Sequence, residues 1–292
     1  MTTVAATSGV PTRRRAQSAR VLVRAILLLL VAAGALFIML PLLWMIVTSL
    51  KEQHETYLMP PWRLPAVPQW RNYLTALTDL PFGRYYLNTL TIVVPVLLAD
   101  VLANALIAYG FARLRGPGKD VLFLIVLSTM MLPGQVTMIP VYILFSKLGW
   151  INSYRPLIVP ALFGNAFFIF LLRQFFRTIS TELDDSARID GCGYFSTLWR
   201  IIMPLSKPAL ATVAIFSFMA NYNDFFGPLI YLNSNEKFTA ALGLQFFQVR
   251  RGASPWHLLM AATVVNIVPC VLLYGFAQRL FIQGIVFTGV KG

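Results

Sequence analysis

Two short polar clusters stand out in a chain that is otherwise strongly apolar. The first is Asp185-Ser186-Ala187-Arg188, followed by Asp190 and Gly191. Acids, small residues and a glycine at this spacing suit a docking knob better than a catalytic site. Ser186 and Ala187 keep the tip thin, and Asp185, Arg188 and Asp190 offer ion pairs at its rim. Gly191 permits a positive φ or a close backbone approach. The second cluster is Asn221-Tyr222-Asn223-Asp224, set inside an apolar run. Two amides, a carboxylate and an aromatic ring can hold a hydroxyl-rich solute, or they can clasp a neighbouring helix. An acid in such a run is costly unless it is paired or wet. Asp100 and Asn104 are four apart, share one helical face and pose the same choice. Pro133-Gly134 interrupts a further apolar run, either as a simple kink or as a break that lines a cavity.

Several other chemistries find no support. No Gly-x-x-x-x-Gly-Lys-Ser/Thr occurs, so a P-loop is not expected, and Gly118-Lys119 reads as a turn. His54 and His257 are far apart and suggest no metal cluster. Cys192 in a polar loop and Cys270 in the last apolar run do not suggest a disulfide. No metal, no cofactor and no catalytic residue is expected on this chain.

A membrane must position the clusters. The chain has 292 residues, 58% hydrophobic and only 12% charged, whereas soluble domains carry about 25% charged residues. Runs 25–50, 121–146, 156–172 and 252–278 contain no Asp, Glu, Lys or Arg, and runs 85–112 and 208–235 contain one acid each, Asp100 and Asp224. A span needs roughly 20 mostly apolar residues. Six spans are predicted, near 22–48, 87–111, 121–146, 156–175, 208–232 and 258–278. The fourth is the shortest and is expected to borrow Arg173 by snorkelling.

Segment 180–204 separates spans four and five and carries its own helical pattern. Glu182, Asp184 and Asp185 follow Thr181, a placement that favours a helix N-terminus. Gly191 and Gly193 then make a turn. Ala187 and Ile189, then Phe195, Leu198, Trp199, Ile201 and Ile202, supply apolar anchors at helical spacing, and the second short helix leads to Pro204. Loop 51–84 holds five prolines and cannot be one helix. Residues 233–257 read as a loop. Residues 1–20 read as a disordered basic tail, and 21–292 as the transmembrane domain. No strand-like alternation appears, so the fold class is all-α.

The formal net charge of +13 raises the question of nucleic acid. The basic residues flank apolar spans, which is a topology signal instead. The N-terminal tail has Arg13, Arg14, Arg15, Arg20 and Arg24, and the loop after span two has Arg113, Arg115 and Lys119. Both termini are therefore expected in the cytoplasm. The first span continues past signal-peptide length to Thr48 and no Ala-x-Ala site closes it, so a retained anchor is expected rather than a cleaved signal.

Segment 180–204 resembles the coupling loop of the membrane subunits of binding-protein-dependent ABC importers. That pattern is Glu-Ala-Ala, three residues, Gly, nine residues, Ile, one residue, Leu-Pro. Here it reads Asp185-Ser186-Ala187, Gly191, Ile201, Met203-Pro204, with Asp for Glu, Ser for Ala and Met for Leu. Ala108–Arg113, Met130–Gln135 with Ile139-Pro140, Leu172–Phe176, Asn223-Asp224-Phe225, Gly227-Pro228-Leu229, Gln278-Arg279, Gly284-Ile285 and Thr288–Gly292 also resemble family segments. The likeness runs from about Arg20 to Gly292 and is strongest to the carbohydrate branch, the maltose-type six-span subunit.

The resemblance implies a type I ABC importer permease in a bacterial cell membrane. It implies a second permease subunit, two ATPase subunits that carry ATP and Mg, an external solute-binding protein and a sugar substrate. It places Asp185, Ser186, Ala187, Arg188, Asp190 and Gly191 against the ATPase. Asn221, Tyr222, Asn223, Asp224, Pro133 and Gly134 are candidates for the path. The tail, with Gly289, Lys291 and Gly292, is expected to touch the ATPase dimer. The alternatives are a secondary transporter using Asp100 and Asp224, or an importer permease for a non-sugar solute.

Overall fold

The computed structural model describes residues 13–60, 62–249 and 255–289. Among them there are helices and turns and no strand. Four helical stretches are long and apolar enough to cross a membrane alone: Val21–Ser49, Phe82–Arg113, Arg155–Thr178 and Trp256–Ala277. The number is up to six if each of two bent pairs counts as one span, by length and composition. The pairs are Lys119–Met131 with Gly134–Lys147, bent by 99°, and Tyr194–Leu205 with Lys207–Tyr222, bent by 82°.

Helix α1 (Arg13–Ser49) starts before the apolar run does. Arg13–Arg20, expected to be disordered, is helical, and residues 1–12 lie outside the described residues. Arg, Ala and Gln are good helix formers, and extending an existing helix costs little. The large apolar side chains from Val21 to Leu40 are exposed, as befits a helix that is apolar all round and sits in lipid. Helix α2 (Arg71–Asp79) lies in the proline-rich loop, and α3 (Phe82–Arg113) is span two.

Span three is two helices. Helix α4 (Lys119–Ser128) passes through a short 3-10 turn to Met131, the chain is extended at Leu132 and Pro133, and α5 (Gly134–Lys147) follows. At 99° the Pro133-Gly134 site is a break and not a simple kink. Span four is also jointed: α6 (Arg155–Ile158) and a 3-10 segment end at Gly164, and α7 (Ala166–Thr178) begins beyond it. Gly164 has φ +84°, and a Cβ there would lie 2.8 Å from Ile107. Asn165 caps α7, its side chain accepting from the Phe167 N–H at 2.9 Å.

Segment 180–204 forms α8 (Glu182–Ile189), α9 (Tyr194–Thr197), a π-helical turn Leu198–Ile202 and α10 (Met203–Leu205). Span five then runs as α11 (Lys207–Tyr222), a break at Asn223–Phe225 and α12 (Phe226–Tyr231). Helix α13 (Ala240–Val249) occupies the segment read as a loop, and α14 (Trp256–Gly289) is span six. Helix α13 is apolar but shorter than a span. Ala240 and Leu242 are fully buried, and a Cβ on Gly243 would lie 2.5 Å from the Tyr85 ring. Its start is held by α3: Asn88 donates to the Glu236 and Phe238 carbonyls at 2.8 and 2.9 Å, and Thr89 Oγ1 accepts from the Ala240 N–H at 2.9 Å.

Buried side chains form two clusters, one at each end of the bundle. Near segment 180–204, Ala108, Leu172, Phe176, Leu198, Ile202 and Val213 pack together. At the opposite end, Ala76, Phe82, Tyr85, Leu242, Ala261 and Ala262 do so. Asn152 staples that opposite end, accepting from the Asn233 and Ser234 N–H groups at 3.1 and 3.2 Å.

Candidate functional site

Helix α8 is shaped by its own sequence. Its first turn carries Glu182, Asp184 and Asp185, matching the positive helix end. It stops at Gly191, whose φ is +78°. Cys192 N–H donates to the Ala187 carbonyl at 2.8 Å and Gly191 N–H to the Arg188 carbonyl at 3.0 Å. This is a Schellman cap with glycine in its left-handed position.

The inward face of α8 is Asp184 and Ala187, both buried. Ala187 was expected both at the thin tip and as an apolar anchor, and the anchor reading is the one the structure shows. It packs inside, because it lies three residues from Asp184 and so shares the face that the bundle covers. Asp185, Ser186, Arg188, Asp190 and Gly191 are exposed. Arg188 pairs with Asp185 at 3.6 Å and lies 5.4 Å over the Tyr194 ring, which ties α8 to α9. A Cβ on Gly191 would meet nothing within 4 Å.

Large apolar side chains stand out from this loop. Ile189 is 87% exposed, Phe195 66%, Tyr194 55% and Trp199 51%. Exposed apolar residues concentrated on a charged loop mark a surface that a partner covers. Ile189, Phe195 and Trp199, expected as anchors, face outward instead. Leu198 and Ile202 are the anchors and are buried in the bundle. They are four apart, one turn of the second limb.

One arginine fastens the loop and a second fastens the helix that leads into it. Arg113, the last residue of α3, donates to the Phe176 and Ile179 carbonyls, both at 2.7 Å. Its Nη1 is 3.1 Å from Asp184 Oδ2, with the two side chains only 6% and 10% exposed. One guanidinium thus caps α7 and holds α8 to α3. Arg173 does not snorkel. It is buried, donates to the Phe111 carbonyl at 3.2 Å, lies 3.9 Å over the Phe123 ring and is 3.6 Å from Asp120. One carbonyl at the end of α3 and a ring and a carboxylate from α4 satisfy it in place.

The second cluster sits at the break in span five, beyond α11, whose 16 residues span about 24 Å at 1.5 Å per residue. The structure therefore keeps the two clusters apart and joins them by one helix. Asn223 is exposed, and its Nδ2 donates to the Met219 carbonyl at 2.9 Å. Asp224 is half-buried, and its Oδ1 accepts from the Gly227 N–H at 3.1 Å, which starts α12. Asn221 is half-buried and donates to the Ser217 carbonyl at 2.8 Å. Tyr222 is buried against α14, donating to the Asn266 carbonyl at 3.1 Å, and offers no free polar edge. Pro133 and Gly134 are exposed at the other break.

Asp100 and Asn104 form the clasp between helices. Ser217 Oγ donates to Asp100 Oδ2 at 2.6 Å, and Asn104 Oδ1 accepts from the Asn165 N–H at 2.7 Å. They join spans two, four and five where span four is broken. Gly289 ends α14, while Lys291 and Gly292 lie outside the described residues.

Sequence reasoning missed Asp184, Arg113, Arg173, Ser217 and Asn266 as structural partners. One signal was available: an acid three residues before Ala187, on the inward face of α8, requires a buried cation.

A family model for the "Binding-protein-dependent transport system inner membrane component" matches residues 101–286. The trehalose/maltose transport system permease protein MalG of Thermococcus litoralis is 32% identical over 276 residues, 93% of this chain and 98% of that protein. The sn-glycerol-3-phosphate transport system permease protein UgpE of Yersinia pestis bv. Antiqua is 29% identical over 260 residues, 87% of this chain and 92% of that one. A crystal structure of a bacterial ABC transporter involved in the import of the acidic polysaccharide alginate superposes with a TM-score of 0.79 and 26% identity, over 93% of this chain and 100% of that chain.

Proposed function

This chain belongs to the family of binding-protein-dependent transport system inner membrane components, and we propose from that premise how it works. It is the membrane-spanning permease subunit of an ATP-driven importer and forms half of the translocation path with a second permease. Two ATPase subunits hold ATP and Mg, and this chain carries no catalytic residue of its own. The loop end lies in the cytoplasm with both termini, and an external solute-binding protein delivers a sugar to the opposite end.

One observation supports the reading above all others: a loop fastened rigidly to spans two and four by Arg113 and Asp184 while displaying Ile189, Phe195 and Trp199 to solvent. A surface built that way docks on another protein. Asp185, Ser186, Arg188, Asp190 and Gly191 form its rim, with Ala187 supporting it from inside. ATPase closure moves the loop, and α11 carries the motion to the break at Asn223–Phe225. This is a two-state element biased by ATP at one end and by the loaded binding protein at the other. Asn221, Asn223 and Asp224, with Pro133 and Gly134, border the path, and Tyr222 braces it. The tail at Gly289, Lys291 and Gly292 rests on the ATPase dimer.

Reconstituted vesicles test the reading. With the partner subunits, the binding protein and ATP, a labelled sugar accumulates, and a proton or sodium gradient without ATP drives none. Accumulation on a gradient alone would restore the ion-coupled alternative through Asp100 and Asp224. Offering sn-glycerol-3-phosphate beside a sugar panel separates the substrate class from the coupling mechanism.

A further inference from the structure

Between α3 and α4, at the loop end, lies an open groove of about 290 Å³. Its lining is mostly apolar, with Ile107, Gly110, Phe111 and Leu122, and includes the basic residues Arg115 and Lys119. A Cβ on Gly110 would meet nothing within 4 Å, so the glycine itself leaves the groove open. Arg115 is exposed. Lys119 Nζ donates to the Leu114 carbonyl at 2.8 Å, which uses one of its three donors. The neighbouring carboxylate, Asp120, lies 3.6 Å from Arg173, which offsets its charge. The groove sits where α3 ends at Arg113 and α4 begins at Lys119, and the basic ends of membrane spans are attracted to the headgroup region.

We propose that this groove holds an anionic phospholipid, its phosphate at Arg115 and Lys119 and an acyl chain along Ile107, Gly110, Phe111 and Leu122. Charge complementarity selects an anionic headgroup over a zwitterionic one. The apolar lining selects a lipid over free phosphate, which would have no use for it. The assignment needs only that the loop end lies at a membrane surface. It is independent of which face that is and of what the permease transports.

The test uses the full chain in nanodiscs of equal phosphatidylglycerol and phosphatidylcholine, with retained lipid counted by native mass spectrometry. The unaltered protein retains phosphatidylglycerol preferentially. Basic residues near a membrane surface each attract anionic lipid by about 1 kcal/mol, so Arg115→Gln with Lys119→Gln lowers that preference roughly tenfold to thirtyfold. Gly110→Leu fills the groove while favouring the helix, and it lowers retention of both lipids. An unchanged preference in the double variant, or an unchanged lipid count in Gly110→Leu, overturns the proposal. Release of the bound lipid by excess inorganic phosphate would mark a free-anion site and overturn it as well.

Discussion

Arg113→Ala is expected to abolish ATP-driven uptake and to destabilise the protein by about 3–5 kcal/mol, the usual cost of removing one partner from a buried ion pair. Three bonds go at once: those to the Phe176 and Ile179 carbonyls and the pair with Asp184. Asp184 is then left charged and buried on the inward face of α8. Replacing both partners by apolar residues of similar volume, Arg113→Met with Asp184→Leu, removes the stranded charge and should restore most of the stability. Uptake should recover less than stability, because the carbonyls that end α7 still lack their donor and the loop is no longer clamped to α3. Thermal unfolding in detergent and uptake at equal membrane level measure the two effects. An Arg113→Ala protein with unaltered melting and uptake would remove the fastening role.

Gly191→Leu should reduce uptake at least tenfold while leaving insertion intact. Two costs are mixed in that variant. Any side chain at φ +78° pays roughly 1–2 kcal/mol of backbone strain, and bulk is added where Gly191 has open space around it. Gly191→Ala pays the same strain with almost no bulk and should keep most of its uptake. Equal loss in both variants would assign the glycine to the Schellman cap alone. Normal uptake in Gly191→Leu would exclude position 191 from the docking surface. Asp185→Lys is a milder companion, since its pair with Arg188 is exposed, 3.6 Å long and worth little to folding. Lost uptake there reports a partner charge.

The sequence revealed the spans because their apolar runs exceed any soluble alternative. It revealed the loop because acids, small residues and glycine recur at fixed spacing. At Gly191 the residues left a positive φ or a close backbone approach open, and the structure shows the positive φ of a Schellman cap. Arg173 was misread, because a basic residue at the end of a short span looks the same whether it snorkels or folds inward onto an aromatic ring. The clasp from Ser217 to Asp100 joins residues 117 apart, and Arg113 reaches Phe176 across 63. Local periodicity carries no information about such pairs. Helix α13 was hidden because its ten mostly apolar residues are too few for a span and its burial depends on Tyr85 from a distant helix. The polar residues at Asn221–Asp224 were visible in an apolar run, but span five was read as continuous over 208–232 and the break at Asn223–Phe225 was not expected. That Asp224 starts a new helix there, and that Tyr222 turns away to Asn266, required the backbone.

The central claim is that the loop and the break in span five move together. Asn223→Cys, in a chain whose Cys192 and Cys270 have been replaced, reports on it directly in the assembled transporter. Asn223 is exposed, so a small polar thiol reagent should reach it in at least one state. The account predicts that labelling changes when ATP is added with the loaded binding protein, and that Gly191→Leu abolishes the change while leaving the basal rate intact. Identical labelling in the nucleotide-free and ATP-bound states of the otherwise unaltered loop would contradict it.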